Sequence, residues 1–328
     1  MRRLLVAGLA VLAVSLSLAG CADEGATDAA STTMADASPT TSRPEAYAVG
    51  RRSMELIDRA RPTQPDPSRD LPAEPDRTLP VLLLYPATGQ IPATTEPADD
   101  APVAPGTFPL VVFSHGWFAS GPVYEGRIEE WARAGYIVAA PTFPLSSGRG
   151  GMLRDYVNQP ADVSFVIDEL LDLPDDDPLA GHVDGDAIAA AGHSLGAITT
   201  LGLGLNSCCA DGRLDAAVEL SGRRAPFPDG EFDDLTRVPF LAVHGVEDST
   251  VPVSGSDSLF ADAPGPAAYL RLRHGDHTGY LRTEGMLVDS VVLAFLDLYL
   301  RDEPEAFEAL PELVDEHGGA TFEVKPAP

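Results

Sequence analysis

The sequence predicts a protein of the α/β class, with a mostly parallel central sheet and helices on both of its faces. Short apolar runs at residues 78–85 and 108–114 are rich in Val and Leu and end at Pro or Gly, which is typical of buried strands. Amphipathic stretches at 125–134 and 161–173 repeat apolar residues every three to four positions, which predicts helices. Strands that alternate with helices pair in parallel, because each helix returns the chain to the same end of the sheet.

The same alternation continues toward the carboxyl terminus. The further predicted strands are 136–140, 187–192, 216–220, 240–244 and 268–272, and the further predicted helices are 195–205 and 283–299. The acidic end, from about Asp302, predicts a short helix followed by a tail. We therefore expect a single α/β domain over residues 46–328.

The first 20 residues have the layout of a secretory signal. Arg2 and Arg3 precede an apolar run of about 15 residues, shorter than the ~20 that a membrane-spanning helix needs. Residues 18–21, LAGC, resemble the lipobox of bacterial lipoproteins, whose cysteine is acylated and becomes the first residue of the mature chain. The resemblance implies that Cys21 anchors the protein by lipid to the bacterial cell membrane, outside the cytoplasm. The alternative is an ordinary signal peptide that is cut at or near Ala19.

The next segment, residues 21–45, is composed mainly of Ala, Ser, Thr, Asp and Pro. It has almost no large apolar side chains, so burial cannot offset the entropy of ordering it. We expect a flexible tether that holds the domain away from the membrane.

The chain is strongly acidic, with 22 Lys and Arg against 50 Asp and Glu in 328 residues and a formal net charge of −28. A field of this sign repels phosphate backbones and anionic lipid headgroups. It argues against nucleic-acid binding and against a basic membrane-binding patch. A solubilising surface outside the cytoplasm explains the excess, and adaptation to high salt gives the same signature.

Beyond Cys21, the only cysteines are the neighbours Cys208 and Cys209. They predict either a vicinal disulfide in an oxidising compartment or two buried thiols. No CxxC motif or His/Cys cluster has the spacing of zinc ligands. We therefore expect neither a metal nor another cofactor.

Residues 192–196, GHSLG, match the pattern G-x-S-x-G. A predicted strand ends at residue 192 and a predicted helix begins at 195, which is the strand, tight turn and helix of a nucleophile elbow. Glycines flank Ser194 because the turn is too sharp for side chains to pack there. The Ser194 hydroxyl is then expected at the carboxyl end of the sheet, beside a helix N-terminus that favours negative charge. The alternative is a structural serine in a Gly-rich turn.

A serine that transfers acyl groups needs a base, and the base needs a carboxylate to orient it. The predicted strand 240–244 is followed by a turn that ends in Asp248, the predicted acid; Glu247, from the same turn, is the alternative. His277 lies past a Gly-Asp turn before the last predicted helix and is the predicted base, with the strand-end His274 as the alternative. The order Ser194, Asp248, His277 is that of the α/β-hydrolases and differs from the chymotrypsin and subtilisin orders.

Two backbone N–H groups are expected to stabilise the oxyanion that develops during acyl transfer. One belongs to Leu195, the residue after the nucleophile. The other belongs to Trp117, because Gly116 lets the loop after strand 108–114 turn toward the serine. The Trp117 indole could also line the acyl pocket, although large aromatic side chains usually pack in the core. The aromatic residues considered for the pocket are Trp117, Phe118, Phe143, Tyr156 and Phe227.

These motifs resemble those of the α/β-hydrolases related to dienelactone hydrolase, plasma platelet-activating-factor acetylhydrolase and the cutinase-like polyester hydrolases. The resemblance covers most of residues 46–300. The motifs that carry it are PLVVFSHGW at 109–117, GYIVAAPTFP at 135–144, AAGHSLGA at 190–197, HGVEDSTVP at 244–252 and GDHTGYL at 275–281. It implies an α/β-hydrolase fold, triad roles for Ser194, Asp248 and His277, and oxyanion roles for Trp117 and Leu195.

Two departures from the family concern the substrate cleft. His115 stands where the polyester hydrolases usually have Pro, and the segment 223–237 is of uncertain length against them. Dienelactone hydrolases proper use a cysteine nucleophile, so Ser194 argues against that activity.

The expected function is hydrolysis of a carboxylic ester through an acyl-enzyme, without a cofactor, and the substrate is a small ester, a lipid ester or a polyester. Two alternatives share the same residues. One is a non-catalytic lipoprotein that binds an ester or a lipid in the cleft. The other is a serine peptidase or amidase, since preference for the leaving group depends on loop geometry.

Overall fold

The strands that the structure describes form one ten-stranded sheet. The computed structural model describes residues 46–89, 96–149 and 151–327; the predicted signal, Cys21 and the tether lie outside them. The strands are β1 (Ala48–Asp58), β2 (Arg77–Ala87), β3 (Ala98–Asp99), β4 (Phe108–Ser114), β5 (Ile137–Pro141), β6 (Val183–His193), β7 (Leu214–Leu220), β8 (Phe240–Gly245), β9 (Ala267–Leu272) and β10 (Ala320–Lys325). The helices are α1 (Glu125–Arg133), α2 (Gln159–Leu171), α3 (Leu195–Leu205), α4 (Ser254–Asp262), α5 (Tyr280–Thr283), α6 (Gly285–Arg301), α7 (Glu305–Glu308) and α8 (Leu310–His317).

The strand order is β10-β9-β8-β7-β6-β4-β5-β2-β1-β3. The central run from β9 to β5 is parallel throughout. Antiparallel pairing occurs toward the edges, where β2 joins β5 and β1, and β10 joins β9. This mostly parallel sheet with helices on both faces is the α/β-hydrolase fold, so the predicted fold class is confirmed.

Two apolar cores lie on opposite faces of the sheet, because side chains along a strand alternate between its faces. In β4, Val111 and Phe113 join one core, which α1 and α6 cover with residues such as Trp131. Leu110 and Val112 join the other core, which is covered by α2, α3 and α4. The central strands are therefore buried on both sides, and their long apolar runs made them visible in the sequence.

The structure adds a strand, β1, that the apolar pattern does not reveal. Its sequence AVGRRSMELID carries two consecutive arginines, and both are paired with acidic partners. Arg51 binds Glu125 and Asp99, and Arg52 binds Asp177 at 2.7 Å. These pairs are made by residues far apart in the chain, so charge balance in the strand depends on the tertiary fold.

The acidic end also differs from the predicted short helix and tail. It continues as α7 and α8 and then returns to the sheet as β10, antiparallel to β9. Leu310 and Val314 of α8 are buried in the core. A half-exposed edge strand of six residues has too few apolar positions to stand out in the sequence.

The carboxyl ends of β4, β6, β8 and β9 lie at the same edge of the sheet because these strands are parallel. The chain passes from β4 to β5 on one side and then to β6 on the other side of β4. In α/β sheets, ligands bind at the crevice that such a reversal creates. The loops after these four strands are therefore the place to examine for chemistry.

Candidate active site

Ser194 occupies a tight turn between β6 and α3. Its backbone has φ 57° and ψ −113°, a conformation that L residues rarely adopt and that is often found at functional sites. Its N–H donates to the Leu220 carbonyl at 2.8 Å. A side chain at Gly192 would lie 2.3 Å from the Gly196 carbonyl oxygen, and one at Gly196 would lie 1.9 Å from the Ser114 carbonyl oxygen. Glycine at both positions therefore lets the turn close tightly.

Asp248, His277 and Ser194 are joined by hydrogen bonds. His277 Nε2 lies 2.8 Å from Ser194 Oγ, and His277 Nδ1 lies 2.7 Å from Asp248 Oδ2. Asp248 also accepts the backbone N–H groups of Thr250 and Val251, each at 2.8 Å. Burial works to raise the pKa of Asp248, but these hydrogen bonds outweigh it and hold the pKa below its usual value. The carboxylate thus stays ionised and fixes the imidazole with Nε2 toward the serine.

The two alternative residues bind each other at the surface. His274 Nδ1 lies 3.0 Å from Glu247 Oε1, and their side chains are 80% and 58% exposed. Neither makes a hydrogen bond to Ser194 or His277. The structure thus brings Asp248 and His277, rather than Glu247 and His274, to the serine.

The loop after β4, residues 115–118, is held beside Ser194 by backbone and side-chain hydrogen bonds. Phe118 has φ 68° and donates its N–H to the Ser146 carbonyl at 2.9 Å, and the Trp117 indole donates to the Gly151 carbonyl at 2.7 Å. Among the described residues, the backbone N–H groups of Trp117 and Leu195 have no hydrogen-bond acceptor. Both groups are therefore available to a developing negative charge.

A buried histidine, His193, and Tyr124 tie the loops around Ser194 together. His193 Nε2 lies 2.8 Å from the His277 carbonyl oxygen, so Nε2 carries the proton and donates it. His193 Nδ1 then accepts the Tyr124 hydroxyl at 2.8 Å, and that hydroxyl accepts the Gly116 N–H at 3.2 Å. The loop after β4, the elbow and the loop that carries His277 are thus linked by one chain of hydrogen bonds.

His115 fixes the loop after β4 from its other side. Its Nε2 accepts the Phe143 N–H at 3.0 Å, and its Nδ1 donates to the Gly116 carbonyl at 2.8 Å. Burial lowers the pKa values of both His115 and His193 to about 4 and raises that of Tyr124 to about 12. All three side chains therefore remain neutral near pH 7. The sequence did not indicate the partners of these two histidines, and it gave no sign of the role of Tyr124.

The surroundings of the serine are apolar on one side and concave on the other. A small apolar cluster of Leu195, Ile198, Ala225 and Phe227 is packed against Tyr156. Trp117 and Phe118 stack with ring centres 4.0 Å apart and are 42% and 46% exposed. Phe143 is fully buried, which makes it a core residue.

A cavity of about 560 Å³ lies beside the elbow and the His277 loop. Its lining residues come from the start of α1, from the residue before Ser194 and from the segment after His277; they are Val123, Tyr124, Gly126, Arg127, His193, Thr278, Leu281 and Arg282. Ser194 and His277 are not among its lining residues, but their chain neighbours His193 and Thr278 are.

Cys208 and Cys209 form a disulfide just after α3. Of the two possibilities that the sequence left open, the structure contains the vicinal disulfide. Cys209 packs against the same apolar cluster that includes Leu195 and Phe227.

The part of the chain that the structure describes contains no group of three or more His, Cys, Asp or Glu placed to hold a metal ion. Within those residues, no helix has both the length and the apolar character needed to cross a membrane.

Comparison with known proteins supports the fold. The family model described as Chlorophyllase matches residues 97–220, which include the loop after β4 and Ser194. A solved structure, a ferulic acid esterase from Streptomyces cinnamoneus, is similar with a TM-score of 0.65 and 22% sequence identity. The similarity covers 84% of this chain and 96% of that one. No curated protein matches. The chain therefore shares the α/β-hydrolase fold with a known esterase.

Proposed function

We propose that this protein is a serine hydrolase of carboxylic esters that works through an acyl-enzyme. The observation that carries the proposal is the hydrogen-bonded chain from Asp248 through His277 to Ser194 at the carboxyl end of the sheet. A structural serine has no need of an imidazole and a carboxylate in this order. The name of the solved esterase and the match to the chlorophyllase model agree with it.

Each residue has a defined step in the proposed reaction. Ser194 Oγ attacks the ester carbonyl carbon while its proton passes to His277 Nε2, and Asp248 stabilises the resulting imidazolium. The N–H groups of Trp117 and Leu195 bind the oxyanion. His277 then gives the proton to the leaving alcohol oxygen, which leaves an acyl group on Ser194. Water, deprotonated by His277, attacks the acyl carbon and releases the acid, so that Ser194 regains its proton.

The substrate is proposed to be an ester of low charge. The stacked and exposed Trp117–Phe118 pair offers apolar contact in the loop after β4, beside Ser194. Small esters, lipid esters and polyesters share this chemistry, and a series of 4-nitrophenyl esters of increasing chain length ranks them.

Labelling with a fluorophosphonate tests the nucleophile without knowledge of the substrate. We expect wild-type protein to be labelled at Ser194, as found by mass spectrometry of the peptide, and Ser194→Ala to remain unlabelled with an unchanged circular dichroism spectrum. A folded wild-type protein that takes no label would favour the ligand-binding alternative. Matched ester and amide substrates then separate an esterase from a peptidase or amidase.

The choice of base is tested by measuring ester hydrolysis in two histidine variants. We expect His277→Ala to abolish ester hydrolysis and His274→Ala to leave it nearly unchanged, because only His277 contacts Ser194. A more severe loss in His274→Ala would show that the base was misassigned.

We also propose that the protein is attached to the membrane through a lipid on Cys21, a residue outside the described part of the chain. The support is the LAGC motif after a charged and apolar leader. We expect Cys21→Ser to move the protein from the membrane fraction to the soluble fraction. Unchanged membrane association would mean that another feature anchors it.

A further inference from the structure

A chain of buried polar side chains continues from Asp248 into the core. His244 Nε2 lies 3.2 Å from Asp248 Oδ2 and 2.9 Å from the Val251 carbonyl oxygen. His244 Nδ1 lies 2.7 Å from Ser256 Oγ, which is hydrogen-bonded in turn to Glu219 Oε1. His244, Ser256 and Glu219 are each 0% exposed. The residues come from β8, α4 and β7, so three elements contribute to one network.

The acceptors fix part of the proton arrangement. Both neighbours of His244 Nε2, the Asp248 carboxylate and the Val251 carbonyl, can only accept, so Nε2 must carry a proton. Glu219 Oε2 accepts the Gly222 N–H at 2.7 Å, which leaves Oε1 to interact with Ser256. One further proton is then shared along the chain. It lies either on Glu219, with Ser256 donating to a neutral His244, or on His244 Nδ1, with Ser256 donating to an ionised Glu219.

Burial selects between these two arrangements. The second separates a carboxylate and an imidazolium in a site without water contact, which is unfavourable. Burial raises the pKa of Glu219 against the opposing effects of His244, Ser256 and the Gly222 N–H. The other titratable side chains that act on Glu219 are Tyr269 of β9 and Tyr280 of α5, and burial raises the pKa of both, so both are neutral near pH 7.

We propose that a protonated Glu219, acting through Ser256, holds neutral His244 with its Nε2–H on the Val251 carbonyl and its nitrogen 3.2 Å from Asp248 Oδ2, and that these are positioning residues for the triad carboxylate. The inference rests on the proposed function. Asp248 Oδ2 receives the His277 N–H at 2.7 Å, whereas His244 Nε2–H donates to the Val251 carbonyl at 2.9 Å and its nitrogen lies 3.2 Å from the same Oδ2. Val251 donates its own N–H to Asp248 Oδ1 at 2.8 Å. His244 thus anchors the turn that holds the carboxylate, so the oxygen facing His277 stays in place as His277 gains and loses its proton.

Paired variants at both ends of the chain test this assignment. We expect His244→Leu to lower kcat for 4-nitrophenyl butyrate by about 10-fold, because the turn that orients the Asp248 carboxylate loses its anchor at the Val251 carbonyl. The acid limb of kcat/KM should move to higher pH, because the potential at His277 becomes more negative. His244→Gln, which keeps an N–H donor, should restore most of the wild-type kcat and bring the acid limb back toward its wild-type pH. In the same way, Glu219→Leu should lower kcat and shift the acid limb. Glu219→Gln, whose side-chain amide reproduces the protonated carboxyl, should restore most of both quantities.

Three controls make each outcome decisive. Wild-type labelling at Ser194 is measured first, so that failure of the proposed function is seen separately from failure of this assignment. Tyr85→Phe removes a buried hydroxyl outside this network, bonded to the Ala101 carbonyl at 2.9 Å, and should change thermal stability without moving the acid limb. Imidazole ¹⁵N shifts of the wild-type protein near pH 7 should show His244 neutral with its proton on Nε2, which needs no variant to fold.

Several results would overturn the proposal. These are a His244→Leu enzyme with unchanged kcat and acid limb, a Glu219→Gln enzyme as impaired as Glu219→Leu, or a His244 imidazole protonated on both nitrogens. The first would remove the positioning role, and the other two would place the negative charge on Glu219.

Discussion

Replacing His193 by glutamine removes an imidazole whose protonation the folded chain opposes. His193 is 2% exposed, and burial lowers its pKa from 6.5 to about 4. The unfolded chain titrates the same group near its ordinary value. Between these two pH values the unfolded chain binds more protons than the folded chain, so the stability that His193 contributes falls as the pH falls. The difference in pKa corresponds to about 3 kcal/mol of unfolding free energy.

Urea unfolding of wild-type protein and His193→Gln between about pH 4 and pH 7.5 measures this effect. We expect the variant to be less stable near neutrality, because it loses the fit to Tyr124 and the His277 carbonyl. The difference in unfolding free energy between wild type and His193→Gln should shrink by about 2 to 3 kcal/mol toward pH 4. The other ionisable groups titrate alike in both proteins, so their contributions cancel in this difference. His274→Gln, at a mostly exposed imidazole, serves as the control. A difference in unfolding free energy that stays constant over this pH range would refute the reasoning.

Two further substitutions test the framework around the site. Arg77 is 1% exposed and is paired with the buried carboxylates of Asp155 and Asp162; Arg77→Met should lower the unfolding free energy by about 3 to 5 kcal/mol, and a loss below about 1 kcal/mol in urea unfolding would contradict it. A side chain at Gly121 would lie 2.2 Å from a carbonyl oxygen of β5, whereas one at Gly126 meets nothing within 4 Å. Gly121→Ala should therefore be destabilising by about 1 to 3 kcal/mol, and Gly126→Ala, in α1, should be neutral or stabilising in the same thermal melt.

The elbow and the succession of central strands and helices along the chain were accessible from the sequence because they depend on local patterns. The central strands are buried on both faces, so their sequences are nearly continuous apolar runs. The turn at Ser194 needs glycine on both sides, and this requirement is written into five consecutive residues. Asp248 and His277 could be proposed because parallel strands end at one edge of the sheet, where residues that follow different strands meet.

The networks that hold these residues were not accessible in the same way. Tyr124 and His193 are 69 residues apart, and Glu219 and Ser256 are 37 apart. Each pair depends on how helices and strands pack, and neither residue type indicates its partner. The same holds for β1, whose arginines become acceptable in a strand only beside acidic residues brought by other segments.

Hydrogen bonding separates the proposed base from the other histidines more sharply than sequence position does. A neutral imidazole offers one donor and one acceptor, so it can join a carbonyl oxygen to an N–H or hydroxyl group across a loop. His115 and His193 each do this, and burial keeps them neutral. His277 differs from them because its two nitrogens face the Asp248 carboxylate and the Ser194 hydroxyl. His244 also lies between Asp248 and a hydroxyl, but that hydroxyl belongs to the fully buried Ser256, so it has no reacting partner. Only the arrangement at His277 stabilises an imidazolium while leaving the other nitrogen to exchange a proton with Ser194, and proton transfer at the serine requires both.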